Sequence, residues 1–297
     1  MTLAILFPGQ GSQHVGMAAS FAVHPSTQHL FNQANSVLGF DLTNLMLNGT
    51  EEELRQTQNA QPALLLAGIA AWTYLNAENP NLNVAAFAGH SLGEYTALVA
   101  AEVISLTDGL KLVRQRGELM AAAMPQGQGG MSAVLGLDIK TTSTIAEKHG
   151  VYVANDNAEG QIILSGEATK LAVSAEDLKT AGAKRVMPLP VAGAFHTPYM
   201  APAATKMAEI LQDVTFHEPT APIILNTTAQ PSQNPKEIKD NLPTQITSPV
   251  RWRETMGTLA AQGMTDVQEL GAGKVLSNLA KRSTHGFTAS SLTSASA

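Results

Sequence analysis

Gly89-His90-Ser91-Leu92-Gly93 fits the pattern G-x-S-x-G and lies between an apolar run, Val84 to Ala88, and a helical stretch, Tyr95 to Ala101. In that setting a tight strand-to-helix turn exposes a serine hydroxyl as a nucleophile, and the flanking glycines relieve crowding. The helix N-terminus behind Ser91 favours developing negative charge, and the Leu92 N–H is placed to donate to an oxyanion. A second use of the same residues stays open: Ser91 and Glu94 could form a capping box. A serine nucleophile needs a base, for which histidine has a suitable pKa. Of the eight histidines, His90 sits beside the turn and is read as lining a pocket. His24, His29, His149, His217 and His285 lie in polar or terminal contexts that suit solvated rings, and His14 stays open. His196 stands out within Ala192-Gly193-Ala194-Phe195-His196-Thr197-Pro198. An apolar approach, a glycine and a helix start suit a presented side chain, although a lone histidine also has ordinary structural uses.

The hydrolase chain order would place an acid between Ser91 and His196. Asp108, Asp138 and Asp177 read as helix starts, Asp156 is the remaining aspartate, and none recommends itself. A backbone carbonyl could orient the imidazole instead. No His/Asp/Glu cluster has the spacing of metal ligands. Arg116, in Val113-Arg114-Gln115-Arg116-Gly117, is either solvated, as Arg114 is read, or free to clamp a carboxylate bidentately.

These residues need elements to position them. Leu3 to Phe7 reads as a buried strand that stops at Pro8-Gly9-Gln10-Gly11-Ser12-Gln13, where glycines let the backbone approach a ligand closely. Thr50 to Glu53 opens a short helix. Pro62 starts another, apolar nearly all round from Ala63 to Leu75 and therefore central. Thr107 can cap the helix that carries Arg114, Arg116 and Met120. Gln126-Gly127-Gln128-Gly129-Gly130 reads as a linker. After it come a strand (Met131 to Gly136), a helix (Ile139 to His149), two strands (Val151 to Ala154, Ile162 to Ser165), a helix (Ala168 to Ala181) and a strand (Val186 to Val191). That β-α-β-β-α-β order is ferredoxin-like. From His196 onward helices and strands alternate again. The expectation is a discontinuous large α/β subdomain, residues 1–126 and 196–282, with an insert at 127–195. Residues 283–297, rich in Ser, Thr and Ala, are expected to fray.

Composition bounds the function. The chain has 297 residues, 44% hydrophobic and 14% charged, against ~25% charged in typical soluble domains. Its net charge of −6 argues against a broad nucleic-acid footprint. With no cysteine, disulfides, thiolate metal sites and a cysteine nucleophile are excluded. The first residues lack a basic leader, and no apolar run reaches membrane-spanning length. A cytoplasmic globular protein that works without a membrane is expected.

Taken together, the motifs resemble the malonyl-CoA:acyl-carrier-protein transacylase family, from Phe7 to about Arg282. Phe7 to Gln13 is similar to the family's opening loop and Asn59-Ala60-Gln61-Pro62-Ala63 to its second marker. Gly89 to Glu94 matches the nucleophile motif, Gln115-Arg116-Gly117 the arginine motif and Gly193-Ala194-Phe195-His196 the histidine motif. Ser248-Pro249-Val250-Arg251-Trp252 and Glu269 to Leu276 resemble the C-terminal signatures, with Ala272 in place of the usual proline.

The resemblance implies an α/β-hydrolase-like core with a ferredoxin-like insert. It implies Ser91 as the acylated nucleophile, His196 as general base and acid, and the backbone N–H groups of Gln10 and Leu92 as the oxyanion hole. Arg116 would pair with the malonyl carboxylate, with Met120, His90 and Phe195 beside the substrate. Phe195 usually accompanies malonyl rather than methylmalonyl groups. A main-chain carbonyl, placed at Arg251 or a neighbour, would orient His196. Malonyl-CoA and the phosphopantetheine thiol of an acyl carrier protein are then substrates of a ping-pong reaction that uses neither metal nor cofactor. The base must be neutral, so rate is expected to fall in acid below ~6.5 for an unperturbed histidine. Carrier proteins are acidic, which makes Lys184, Arg185, Lys281 and Arg282 candidates for docking. A monomer is expected. An acyltransferase of a polyketide pathway would share every motif. A serine esterase or thioesterase would need neither Arg116 nor the first-loop glutamine.

Overall fold

The computed structural model describes residues 2–125, 127–191 and 193–296. Gln126, at the expected linker, and Ala192, at the head of the histidine segment, lie outside the described residues. Ten strands follow in chain order: β1 (Leu3–Phe7), β2 (Val84–Gly89), β3 (Gly129–Leu135), β4 (Tyr152–Ala158), β5 (Gln161–Glu167), β6 (Arg185–Pro188), β7 (Ile223–Ile224), β8 (Pro231–Ser232), β9 (Asp266–Leu270) and β10 (Thr288–Leu292). They form two sheets, one ordered β10-β9-β1-β2-β7-β8 and one ordered β4-β5-β3-β6.

The large sheet is parallel except at its β7–β8 edge. Its central strands β1 and β2 are apolar on both faces, as a sheet covered by helices on both sides requires. The side chains alternate: Ile5, Phe7 and Phe87 face one core, Ala4, Leu6, Ala86 and Ala88 the other. The first core packs against the helix Thr57–Glu78, and the second against the helices Trp252–Ala261 and Val275–Arg282. The small sheet is antiparallel throughout. One face (Val134, Ile162, Leu164) packs on Ala146, Leu171 and Leu178 of its two helices, and the other (Met131, Ala133, Ile163) joins the main core. An α/β fold with a separate antiparallel sheet results, and every strand of the small sheet lies between Gly129 and Pro188.

Four expectations are corrected. The Ser/Thr-rich tail is not frayed, because Thr288–Leu292 extends the large sheet as an edge strand beside β9. Beyond it, the Ala295 N–H reaches Ser20 Oγ at 2.8 Å. The central helix begins at Thr57 and carries Pro62 inside. Proline cannot donate to the Gln58 carbonyl one turn back, and Arg114 Nη1 does so instead at 3.0 Å. Arg114 is therefore not a solvated side chain: it also contacts Asn59 and Glu118 and lies over the Phe40 ring. Ser105, not Thr107, caps the next helix, accepting from the Asp108 N–H at 3.0 Å.

Candidate active site

The turn after β2 holds Ser91 in a backbone conformation rare for a side-chain-bearing residue, φ 52° and ψ −105°. The turn closes only because its neighbours are glycine. A Cβ on Gly93 would stand 2.1 Å from the Phe7 carbonyl oxygen, and one on Gly89 would stand 1.9 Å from the Gly93 backbone. Ser91 forms no capping bond at the helix start, so the capping-box use of Ser91 and Glu94 is not realised. Its N–H is held at 2.7 Å by Asn226 Oδ1, while Asn226 Nδ2 donates to the Gly89 carbonyl at 2.6 Å. Asn226, at the end of β7, therefore braces both sides of the turn.

His196 comes from the segment returning from the small sheet and also has positive φ, 59°. Its Nε2 lies 2.7 Å from Ser91 Oγ. On the other side Nδ1 faces the carbonyls of Gln245 at 2.9 Å and Ser248 at 3.1 Å. Carbonyls only accept, so Nδ1 carries the proton and Nε2 presents a lone pair to the serine. These two carbonyls, not that of Arg251, orient the ring. The Arg251 carbonyl is spent on the following helix, where it accepts from Thr255 N–H and Oγ1–H. Burial, and next the Arg116 charge, push the His196 pKa down to about 3, so the ring is neutral at physiological pH.

Arg116 is 1% exposed. Nη1 donates to Gln61 Oε1 at 2.8 Å, and Nη2 to Gln245 Oε1 at 3.0 Å and Ser91 Oγ at 3.1 Å. Its Nε is buried and has no partner among the described residues, and the guanidinium lies over the Tyr95 ring at 5.3 Å. Ser91, His196 and Arg116 line a cavity of about 90 Å³ with Gln10, Leu92, His90, Met120 and Phe195. Among the described residues the Gln10 and Leu92 N–H groups take no partner. His90 bonds Asn157 Oδ1 of β4 at 2.8 Å and packs on Trp252. A larger cavity, about 670 Å³, lies elsewhere, between the strand ends and turns of the small sheet and the helices Trp252–Ala261 and Val275–Arg282, and contains none of the three central residues. No group of three or more potential metal-ligating side chains occurs among the described residues.

Sequence reasoning missed Gln245, Asn226 and Glu94 as parts of this site, and gave Gln61 no role. Gln245 alone holds His196 by its carbonyl, Arg116 by Oε1, and the Ser91 carbonyl by Nε2 at 3.0 Å. Gln61 had a faint signal, an amide just ahead of the apolar run Ala63 to Leu75. Gln245 and Asn226 had none, since each acquires its role only through contacts far away in sequence, 49 residues for Gln245 to His196 and more than a hundred to Ser91.

A nucleophile turn, a neutral imidazole and a buried arginine on an α/β sheet define the class of serine-dependent acyl transferases. The acyl transferase domain family matches residues 5–292 of the chain. More narrowly, the chain belongs to the malonyl CoA-acyl carrier protein transacylase family. It is 42% identical to the malonyl CoA-acyl carrier protein transacylase of Salmonella typhimurium over 294 residues, which are 97% of this chain and 95% of that one. The Bacillus subtilis transacylase is 41% identical, over 94% of this chain and 90% of its own. Among solved structures, the acyl carrier protein S-malonyltransferase of Vibrio cholerae superposes with a TM-score of 0.95 at 39% identity, covering 99% of this chain and 98% of that one. A malonyl-transacylase in complex with its type II polyketide acyl-carrier protein gives 0.96 at 38% identity, covering 99% and 97%.

Proposed function

We infer that the chain moves the malonyl group of malonyl-CoA to the phosphopantetheine thiol of an acyl carrier protein through a malonyl-Ser91 ester, supplying fatty acid synthesis. The observation that carries the reading is the 3.1 Å between Arg116 Nη2 and Ser91 Oγ in a cavity of about 90 Å³. A carboxylate caught by that guanidinium lies within a few bonds of the acyl carbon, as in a malonyl ester.

In the first half-reaction Ser91 Oγ bonds the thioester carbon while His196 Nε2 takes the hydroxyl proton. The carbonyl oxygen becomes an oxyanion facing the Gln10 and Leu92 N–H groups, each worth roughly 3 kcal/mol by analogy with measured oxyanion holes. The C–S bond breaks, and His196 returns the proton to the CoA sulfur. In the second half-reaction the carrier's thiol gives its proton to His196, attacks the ester carbon, and Ser91 leaves reprotonated. Met120, His90 and Phe195 wall the acyl group. Lys184 and Arg282 line the large cavity, and Arg185 and Lys281 are exposed near it, which suits docking of an acidic carrier. Among the described residues no helix is long and apolar enough to cross a membrane. A cytoplasmic monomer with neither membrane nor nucleic-acid partner fits this role.

Intact mass after brief incubation with malonyl-CoA and, separately, acetyl-CoA tests the reading. A malonyl adduct on wild type, absent from Ser91→Ala and scarce with acetyl-CoA, is expected. Equal labelling by both thioesters would sink the malonyl assignment, and CoA release without an adduct would mark an esterase. The polyketide-associated structure keeps a second pathway in view, since it shares the fold at 38% identity. Transfer rates to the two kinds of carrier protein decide between them.

A further inference from the structure

Glu94 is fully buried, yet no step above uses its charge. Its Oε2 accepts from the Asn226 N–H at 2.9 Å and from Gln245 Nε2 at 3.0 Å, and its Oε1 from Asn241 Nδ2 at 3.3 Å. Arg116 is equally buried, and every acceptor on it is neutral: the Gln61 and Gln245 amides and the Ser91 hydroxyl. A buried guanidinium without a counter-charge is costly. The carboxylate that offsets it stands one amide away. Gln245 Nε2 donates to Glu94 while its Oε1 accepts from Arg116. Because a carboxylate and the Ser91 carbonyl both only accept, the amide nitrogen must face them and the amide oxygen must face the arginine. A direct ion pair would fill the fork that an acyl carboxylate has to enter. A relayed pair offsets the arginine's charge while the fork keeps only neutral partners, which an acyl carboxylate can displace.

We propose that Glu94 is the standing counter-ion of Arg116, relayed through the Gln245 amide, and that it sets how tightly the arginine holds an acyl carboxylate. It is a positioning residue, touching neither substrate nor reacting atoms, and the inference rests on the transacylase reading. Ionised Glu94 repels the incoming carboxylate, so removing its charge tightens capture. Burial raises the Glu94 pKa to about 7, opposed by the Gln245, Asn226, Arg116 and Asn241 contacts. Lowering pH through 7 therefore neutralises Glu94 and acts in the same direction as removing its charge. Arg116, Tyr95 and His196 keep their charge between pH 6 and 8. Arg116 stays a cation, Tyr95 on the same helix is pushed up to about 12, and His196 beyond the arginine down to about 3. His90 is also lowered by burial.

The test uses the Ser91→Ala chain, which cannot acylate, and compares Kd for malonyl-CoA and acetyl-CoA at pH 6, 7 and 8. Their ratio cancels titration of the shared nucleotide. With Glu94 present, the preference for malonyl-CoA should rise about tenfold from pH 8 to pH 6. With Glu94→Gln it should be high at all three. A preference that is flat in pH with Glu94 present, or unmoved by Glu94→Gln, overturns the proposal alone. Should Glu94→Gln not fold, the pH series decides by itself. No preference for malonyl-CoA at any pH overturns the malonyl reading along with it.

Discussion

His196 is oriented by two carbonyls where a serine hydrolase uses a carboxylate, and the difference has a kinetic signature. A carbonyl fixes the tautomer but brings no full negative charge to raise the ring's pKa, while burial and Arg116 lower it to about 3. The proton-accepting form thus persists as pH falls below the ordinary histidine value of ~6.5. At saturating malonyl-CoA, rapid-quench acylation should be level from pH 8 to about 5.5, with its acid limb lower still. A limb centred near ~6.5 would show the ring to be solvated. Arg116→Ala should cost malonyl acylation about a hundredfold or more, the range for a lost charge-assisted pair of ~3 kcal/mol, and leave acetyl acylation within a few-fold. Parallel losses for both acyl groups would make Arg116 a fold residue instead. Ser91, His196 and Arg116 were legible because each lies in a local pattern. The carbonyl was misplaced by a few residues because backbone acceptors carry no side-chain signature.

At the scale of elements, short apolar runs and glycine placement made β1, β2 and the nucleophile turn legible, since these obey local rules of burial and close approach. The tail escaped because a Ser/Thr-rich strand at a sheet edge shows no apolar period, and its pairing with β9 lies outside its own sequence. The start of the central helix escaped for a different reason. Pro62 reads as a first helical residue unless one knows that Arg114 satisfies the carbonyl it leaves open. Arg114→Ala should therefore destabilise the chain by about 1–2 kcal/mol in chemical denaturation, through a carbonyl and an Asn59 side chain left unpaired. Malonyl selectivity, measured on the same variant, should be unchanged. A loss of selectivity would mean that this arginine reaches the acyl site.

At the scale of the molecule, the small sheet is clasped beside the site to the start of the helix Trp252–Ala261 and the residues just before it. The Asp156 N–H bonds the Val250 carbonyl at 3.0 Å, and the Val250 N–H bonds the Ala154 carbonyl at 2.8 Å. Asp156 also receives Arg253 in a two-pronged pair, with Nη2 at 2.7 Å from Oδ2 and Nε at 3.1 Å from Oδ1. The clasp abuts Ser248, one of the carbonyls on His196. Arg253→Ala should loosen this seam and raise water's share of acyl-enzyme breakdown severalfold, read as free malonate released per malonyl group transferred. An unchanged partition would place water exclusion in the acyl cavity itself.

The position of β1 has a consequence for biosynthesis. Its five residues pair on one side with β2, and Leu3 to Leu6 pair on the other with β9, far along the chain. Such distant pairings close late and slow folding. The antiparallel sheet between Gly129 and Pro188 needs no such partner, so on the ribosome it can assemble while the edge of β1 waits unpaired for residues 266–270. Until they emerge, that edge is open to strands of other nascent chains. Maturation of activity is then tied to the emergence of residues 266–270, well after the serine and histidine have both been made.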